Sequence, residues 1–151
     1  MIAIIDFGSQ FTQLIARRVR ELGYYSVIYP YYVSPDEIQQ AEAVILSGGP
    51  RSVLTSDHPA LSDEIWNMPV PLLGICYGFQ LMALTEGGRV KPCKVSEFGK
   101  TTFRTKGKSF LWEGLPSESI VWMSHGDQVT ECPSSFELIG SSDNASVAAI
   151  Q

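Results

Sequence analysis

The pentapeptide Gly74-Ile75-Cys76-Tyr77-Gly78 is the feature that most constrains the fold of this chain. The apolar run Val70-Pro71-Leu72-Leu73 precedes it, and residues 79–84, which follow it, are typical of a helix. A cysteine between two glycines, at the turn from a buried strand into a helix, is the thiol version of the nucleophile elbow. We therefore predict that Cys76 is a nucleophile, with a buried structural cysteine as the alternative.

The same position makes a prediction about the acidity of the thiol. An ordinary cysteine has a pKa of about 8.5. The N–H groups and the positive end of the helix dipole point at a residue that directly precedes a helix, and they favour its thiolate form. We expect the pKa of Cys76 to lie below the ordinary value.

Charge and cysteine content exclude several classes of function. The chain has 16 acidic and 11 basic residues and a net charge of −5, which argues against nucleic acid or an anionic membrane as a partner. Neither a membrane span nor a signal peptide is predicted. The three cysteines, Cys76, Cys93 and Cys132, are widely spaced and predict neither a disulfide framework nor a metal site. We predict a reduced, cytoplasmic protein.

Strands and helices alternate over the first 85 residues, which predicts an α/β fold with an open, mostly parallel central sheet flanked by helices. The predicted strands are residues 2–5, 24–32, 43–46 and 70–73. The predicted helices are residues 10–22 with Ser9 as N-cap, a short helix from Ser34, residues 58–66, and the helix after the elbow.

The C-terminal half has a different pattern, with short β-like runs separated by turn residues. These runs are residues 100–104, 119–123, 136–140 and 146–150. We interpret them as β-strands added to the same domain, so that residues 1–151 form one domain.

Three segments are expected at the carboxyl edge of the sheet, where ligands of open α/β folds bind. The first is the elbow. The second is the loop Ser47-Gly48-Gly49-Pro50, whose Gly49 N–H could form an oxyanion hole with the N–H of Tyr77; a simple tight turn is the alternative. The third is the polar cluster Met123-Ser124-His125-Gly126-Asp127, expected just after an apolar strand.

Together these segments resemble the class I, or triad, glutamine amidotransferases, and in particular the glutamine-hydrolysing domain of GMP synthases. The resemblance covers essentially the whole chain and implies a flavodoxin-like core. The elbow and the glycine loop are common to class I, whereas Met123–Asp127 is typical of the GMP synthase branch. The segments that carry it are Ile4-Ile5-Asp6-Phe7-Gly8-Ser9-Gln10, Ser47-Gly48-Gly49-Pro50, Gly74-Ile75-Cys76-Tyr77-Gly78-Phe79-Gln80, Glu97-Phe98-Gly99 and Trp122-Met123-Ser124-His125-Gly126-Asp127.

The resemblance implies glutamine hydrolysis through a γ-glutamyl thioester on Cys76. The Gly49 and Tyr77 amides would bind the oxyanion, ammonia would leave, and water would release glutamate. It also implies that L-glutamine is bound by Gln80, Ser124, His125 and Asp127, with the Asp127 carboxylate on the α-ammonium group.

The resemblance further implies a partner for this domain. An ATP-pyrophosphatase domain of the same enzyme would use ATP and Mg²⁺ to adenylate XMP and would receive the ammonia to form GMP. No cofactor or metal is expected in the amidotransferase domain, and a homodimer of the full enzyme is one expected arrangement.

One part of the family pattern is not found in these residues. The triad is completed by a histidine and a glutamate in a His-Pro-Glu segment, expected downstream of the last strand. The only His-Pro pair here is His58-Pro59, which is followed by Ala60, and His125 is expected in a substrate loop or domain interface. We expect an N-terminal part of a longer synthase that lacks the triad His and Glu. The alternatives are the glutaminase of another class I pathway, and a catalytically incomplete glutamine-binding or interaction fragment.

Overall fold

The structure is a computed structural model that describes the backbone of residues 1–151 and all side chains except those of residues 94–97. Glu97, which carries part of the family resemblance, therefore has a side chain outside the described set. The chain divides into two compact units, residues 1–81 and residues 82–151. No helix among the described residues is both long enough and apolar enough to cross a bilayer.

The first unit contains a four-stranded parallel sheet. Its strands run in the order β2-β1-β3-β4, which is the start of the flavodoxin-like order, and this confirms the predicted fold class. Ile4 and Ile5 of β1 and Val44 and Leu46 of β3 are completely buried, as expected for central strands that are covered on both faces. The strands are β1 (Ile2–Asp6), β2 (Ser26–Pro30), β3 (Ala43–Leu46) and β4 (Leu72–Gly74).

Four helices accompany this sheet: α1 (Thr12–Glu21), α2 (Pro35–Ile38), α3 (Asp63–Trp66) and α4 (Tyr77–Thr85). The prediction that Ser9 caps α1 is wrong, because Phe11 occupies the N-cap position. The Ser9 hydroxyl instead accepts the Phe11 N–H at 3.0 Å, and Asp6 accepts the Thr12 hydroxyl at 2.7 Å. These local bonds hold an extra turn between β1 and α1. The start of α2 is as predicted, with a capping box between Ser34 and Glu37.

The predicted helix over residues 58–66 is wrong in its first half, because only Asp63–Trp66 is helical. The His58 imidazole contacts the Thr55 carbonyl at 2.8 Å and so belongs to a turn. The Pro59 carbonyl accepts the hydroxyl of Tyr77 at 2.5 Å. A local turn at His58 and one bond from the distant Tyr77 therefore take the place of the helical hydrogen bonds that the pattern predicted.

The second unit contains an antiparallel sheet in the order β6-β5-β7-β8 and a 3₁₀ turn, η1 (Phe110–Trp112). The sheet confirms the additional β-structure predicted for the C-terminal half, but two of the strands are much longer than the predicted runs. β5 and β6 pair along most of their length, with an irregularity between Pro92 and Glu97. The strands are β5 (Arg89–Thr105), β6 (Glu118–Glu131), β7 (Leu138–Ser142) and β8 (Ala149–Ile150).

Candidate active site

The backbone at Cys76 has a left-handed conformation. Its φ is +53°, and it is the one non-glycine residue with positive φ in the part of the chain that the structure describes. An L-residue pays about 1–2 kcal/mol for this conformation. Cys76 lies between the last residue of β4 and the first residue of α4. The sharp strand-to-helix turn predicted from the sequence is therefore present, and its strain falls on the cysteine.

The two glycines of the elbow are required by close backbone contacts. A Cβ on Gly74 would lie 2.7 Å from the carbonyl oxygen of Gly78 and 2.7 Å from the nitrogen of Phe79. A Cβ on Gly78 would lie 2.5 Å from both the Cβ and the carbonyl oxygen of Leu46. No side chain fits at these distances, so the G-x-C-x-G pattern follows from how closely the turn packs on itself and on β3.

Backbone hydrogen bonds fix the elbow to the end of β3. The Ile75 N–H donates to the Leu46 carbonyl at 2.9 Å, and the Gly78 N–H donates to the Ser47 carbonyl at 3.0 Å. Within the new helix, the Gln80 N–H donates to the Cys76 carbonyl at 3.0 Å. The position of Cys76 is thus determined by the neighbouring strand as well as by its own.

The loop that follows β3 is held by Ser47, which is completely buried. Its hydroxyl accepts the Phe7 N–H at 3.2 Å and donates to the Gly48 carbonyl at 2.9 Å. A Cβ on Gly48 would lie 3.3 Å from the Cβ and 3.7 Å from the Sγ of Cys76. The bare Gly48 backbone therefore faces the thiol directly.

The sulfur of Cys76 accepts hydrogen bonds from the backbone N–H groups of Tyr77 and Gly49. These are the two donors predicted for the oxyanion hole, and the structure brings both to the same atom. Gly49 can occupy this place because it has no side chain, since a Cβ there would lie 2.5 Å from the Phe7 carbonyl oxygen.

The expected direction of the Cys76 pKa shift is wrong. Burial raises the pKa of the thiol, and the hydrogen bonds from Tyr77 and Gly49, which lower it, do not outweigh that effect. The helix N-terminus favours the thiolate, but the sequence does not show that the sulfur is partly buried, and the loss of water around it favours the thiol. The site as built therefore favours the protonated thiol, and attack on a substrate requires that this proton be removed.

Tyr77 and Gln80 extend the site along the first turns of α4. The Tyr77 ring is 1% exposed, lies 4.9 Å from the ring of Phe7, and its hydroxyl donates to the Pro59 carbonyl. Burial raises the pKa of Tyr77 to about 12, so its hydroxyl remains a donor. Gln80 is 6% exposed and follows Cys76 by one helical turn. The Tyr77 side chain thus holds the backbone at Pro59, while its N–H faces the sulfur.

Ser124, His125 and Asp127 belong to the second unit and lie inside strand β6. The prediction that this polar cluster directly follows a strand is wrong, because the strand does not end before it. The β6 ladder continues through them, with Ser124 opposite Phe98 and Asp127 opposite Pro92. The polar residues from Ser124 onward predict the end of the strand. The strand continues because its backbone hydrogen bonds to β5 form whether the side chains are polar or apolar. His125 Nδ1 lies 3.6 Å from the sulfur of Cys93.

Ser9 is a polar residue of the site that the sequence did not identify. Its hydroxyl lies 3.5 Å from the position that a Gly48 Cβ would take, and the Cys76 sulfur lies 3.7 Å from the same point. The signal was available, because Ser9 follows β1 at the carboxyl edge of the sheet. Among the described side chains, no group of three or more His, Cys, Asp or Glu is arranged to hold a metal ion.

Comparison with known proteins shows the family of this chain. The family model for class I glutamine amidotransferases matches residues 3–151. The chain belongs to this family. Among curated relatives, the chain is 49% identical to a glutamine-hydrolysing GMP synthase of Francisella tularensis and 44% identical to one of Syntrophomonas wolfei. Each match covers 99% of this chain but only 29% and 30% of the relatives, so the chain spans about 30% of their length.

Solved structures show the same fold. A protein from Thermoplasma acidophilum, provisionally described as one component of a GMP synthase, is 32% identical with a TM-score of 0.88, over 99% of this chain and 76% of its own. A glutamine amidotransferase from Thermotoga maritima is 20% identical with a TM-score of 0.79, over 99% of this chain and 70% of its own. The second likeness concerns the fold alone.

Proposed function

We propose that this chain hydrolyses glutamine for a GMP synthase, which uses the ammonia and ATP to convert XMP to GMP. The observation that carries the proposal is the strained Cys76, with two backbone N–H groups directed at its sulfur. Identity of 43–49% to GMP synthases over nearly the whole chain supports this branch of the family over other class I pathways.

In the proposed reaction, the Cys76 sulfur attacks the side-chain amide carbon of glutamine after losing its proton. The carbonyl oxygen becomes an oxyanion that the N–H groups of Gly49 and Tyr77 stabilise, an effect typically worth about 3–4 kcal/mol per donor. The C–N bond then breaks, ammonia leaves with the proton it needs, and water hydrolyses the γ-glutamyl thioester to glutamate.

The substrate contacts remain predictions. We propose that L-glutamine is bound through its polar groups by Gln80, Ser124, His125 and Asp127, the residues that the family resemblance implies. A carboxylate at Asp127 would select a zwitterionic amino acid, because it would pair with the α-ammonium group. Replacing it should weaken glutamine binding about tenfold or more.

We further propose that residues 1–151 do not supply the acid and base of the triad. The His58 imidazole is engaged with the Thr55 carbonyl in a turn, and one ring nitrogen of His125 is engaged with Cys93. General acid–base catalysis is worth about 10²–10⁴-fold, so these residues alone should turn glutamine over slowly. ATP and Mg²⁺ are assigned to the synthetase part, and a cytoplasmic location remains a prediction.

The experiment that tests the proposal is labelling by a glutamine analogue that carries an electrophilic diazoketone at the amide position. We expect one equivalent on Cys76, none in Cys76→Ser, and protection by glutamine but not by asparagine. Asp127→Asn should need at least about tenfold more glutamine for the same protection, whereas Asp143→Asn, which pairs with Arg104 on the surface, should not. Labelling that glutamine does not slow would favour a structural cysteine instead.

A further inference from the structure

A second cysteine lies beside an imidazole in the antiparallel sheet. The sulfur of Cys93 on β5 lies 3.6 Å from Nδ1 of His125 on β6, within reach of a hydrogen bond to sulfur. Both side chains are partly exposed. The contact forms next to the irregularity in the β5–β6 ladder between Pro92 and Glu97. The local geometry thus pairs a nucleophile with a base.

The imidazole of His125 can act as a base for the thiol of Cys93. When the His125 ring carries its proton on Nε2, the Cys93 thiol can donate to Nδ1. Transfer of the proton gives a thiolate beside an imidazolium, which is how an adjacent base activates a cysteine nucleophile. A thiolate is the form of cysteine that peroxides oxidise.

Cys132 provides a natural comparison within the same unit. It is also partly exposed, but its thiol donates to the carbonyl oxygen of Phe136 at 3.4 Å. A carbonyl does not take the proton, so this bond holds the thiol form. Burial also raises the pKa of Cys132. Both cysteines are therefore partly exposed, but the thiol of Cys93 faces a basic ring nitrogen, whereas the thiol of Cys132 faces a carbonyl oxygen.

We propose that Cys93 is an oxidation site, at which hydrogen peroxide converts the thiol to a sulfenic acid with His125 as the base. His125 accepts the thiol proton, and the sulfur attacks one peroxide oxygen. An S–O bond forms, the O–O bond breaks, and the departing hydroxide takes the proton from the imidazolium to become water. The sulfur loses two electrons and the peroxide gains them. This inference does not depend on glutamine hydrolysis.

The test is the rate at which each cysteine becomes a sulfenic acid at pH 7 in low peroxide, with a dimedone trap and peptide mass spectrometry. At this pH an ordinary thiol is only about 3% thiolate. A thiolate attacks peroxide faster than a thiol does, so a base that accepts the Cys93 proton during the reaction speeds the oxidation. We expect Cys93 to react at least about threefold faster than Cys132.

His125→Gln should slow Cys93 at least about threefold and leave Cys132 unchanged. A variant that merely loosened the strand would expose Cys93 and speed its oxidation, so a slower rate identifies loss of the base. In denaturant the two cysteines should react equally. Equal rates in the folded chain, a Cys93 rate that does not respond to His125→Gln, or a difference that persists in denaturant would each overturn the proposal.

Discussion

At the scale of single residues, Cys76 combines a conformation that costs free energy with an environment that holds its proton. Its φ of +53° is unfavourable for any residue with a side chain, and burial raises the pKa of its thiol. The same backbone turn brings the N–H groups of Gly49 and Tyr77 to the sulfur. The residue that the proposed reaction needs therefore lowers the stability of the fold, and its thiol is mostly protonated.

Cys76→Gly should be more stable than Cys76→Ala by about 1 kcal/mol, because glycine adopts positive φ without strain. Urea unfolding of both variants measures the difference. Cys132 has no positive φ, so the same pair of substitutions there should favour alanine. If Cys76→Ala were the more stable variant at the elbow, the strain assigned to this residue would be absent.

The raised pKa of Cys76 also predicts how stability depends on pH. The folded chain holds this proton more tightly than the unfolded chain, so the thiol contributes stability below the unfolded pKa of about 8.5. That contribution is lost as pH rises through the higher pKa of the folded state. The free energy of unfolding should therefore fall more between pH 8 and pH 10.5 in the native chain than in Cys76→Ser. An equal fall in both would contradict the shift.

At the scale of elements, the elbow is a contact between three segments: the end of β3, the end of β4 and the start of α4. The Leu46 carbonyl accepts the Ile75 N–H, and Gly78 packs on Leu46 with no room for a side chain. Strand β3 fixes the position of the turn. We therefore expect substitutions in solvent-exposed loops to leave the turn in place, and a larger side chain at Gly78 to displace it.

Gly78→Ala should therefore destabilise the chain by about 3 kcal/mol and abolish labelling of Cys76 by the glutamine analogue, since the added methyl meets backbone at 2.5 Å. Gly126→Ala is the matched substitution, because a Cβ there meets nothing within 4 Å and its effect on stability should stay within about 0.5 kcal/mol. If both variants lost stability to a similar extent, the close contact with Leu46 would not be the reason that position 78 requires glycine.

Sequence reasoning succeeded where one local pattern dictates structure and failed where distant partners decide it. β3 was predicted at its observed bounds, because Ala43–Leu46 is a short apolar run between polar segments. The helix from His58 was wrong, since Tyr77, which is 18 residues away, takes the Pro59 carbonyl. The full length of β6 is not predicted either, because its polar residues stay in the strand only through their pairing with β5.

At the scale of the whole molecule, the chain consists of an α/β unit that contains the cysteine elbow and an antiparallel unit that contains Ser124, His125 and Asp127. Short motifs were enough to identify the family, which the match over residues 3–151 confirms. The chain spans about 30% of the GMP synthases it resembles, so amination of XMP is a proposal about a larger protein. The reaction at Cys76 can be tested on these residues alone.

The most direct test uses an activated γ-ester of glutamate, whose phenolate leaving group needs no proton donor. At alkaline pH, where hydroxide can remove the Cys76 proton, we predict a burst of one phenolate per chain as the γ-glutamyl thioester forms on Cys76. Slow release should follow, because we propose that residues 1–151 supply no triad base for its hydrolysis. Cys76→Ala should show no burst. A burst that persists in Cys76→Ala, or no burst in the native chain, would contradict the assignment of Cys76 as the nucleophile. Rapid steady turnover would contradict the proposal that residues 1–151 supply no triad base.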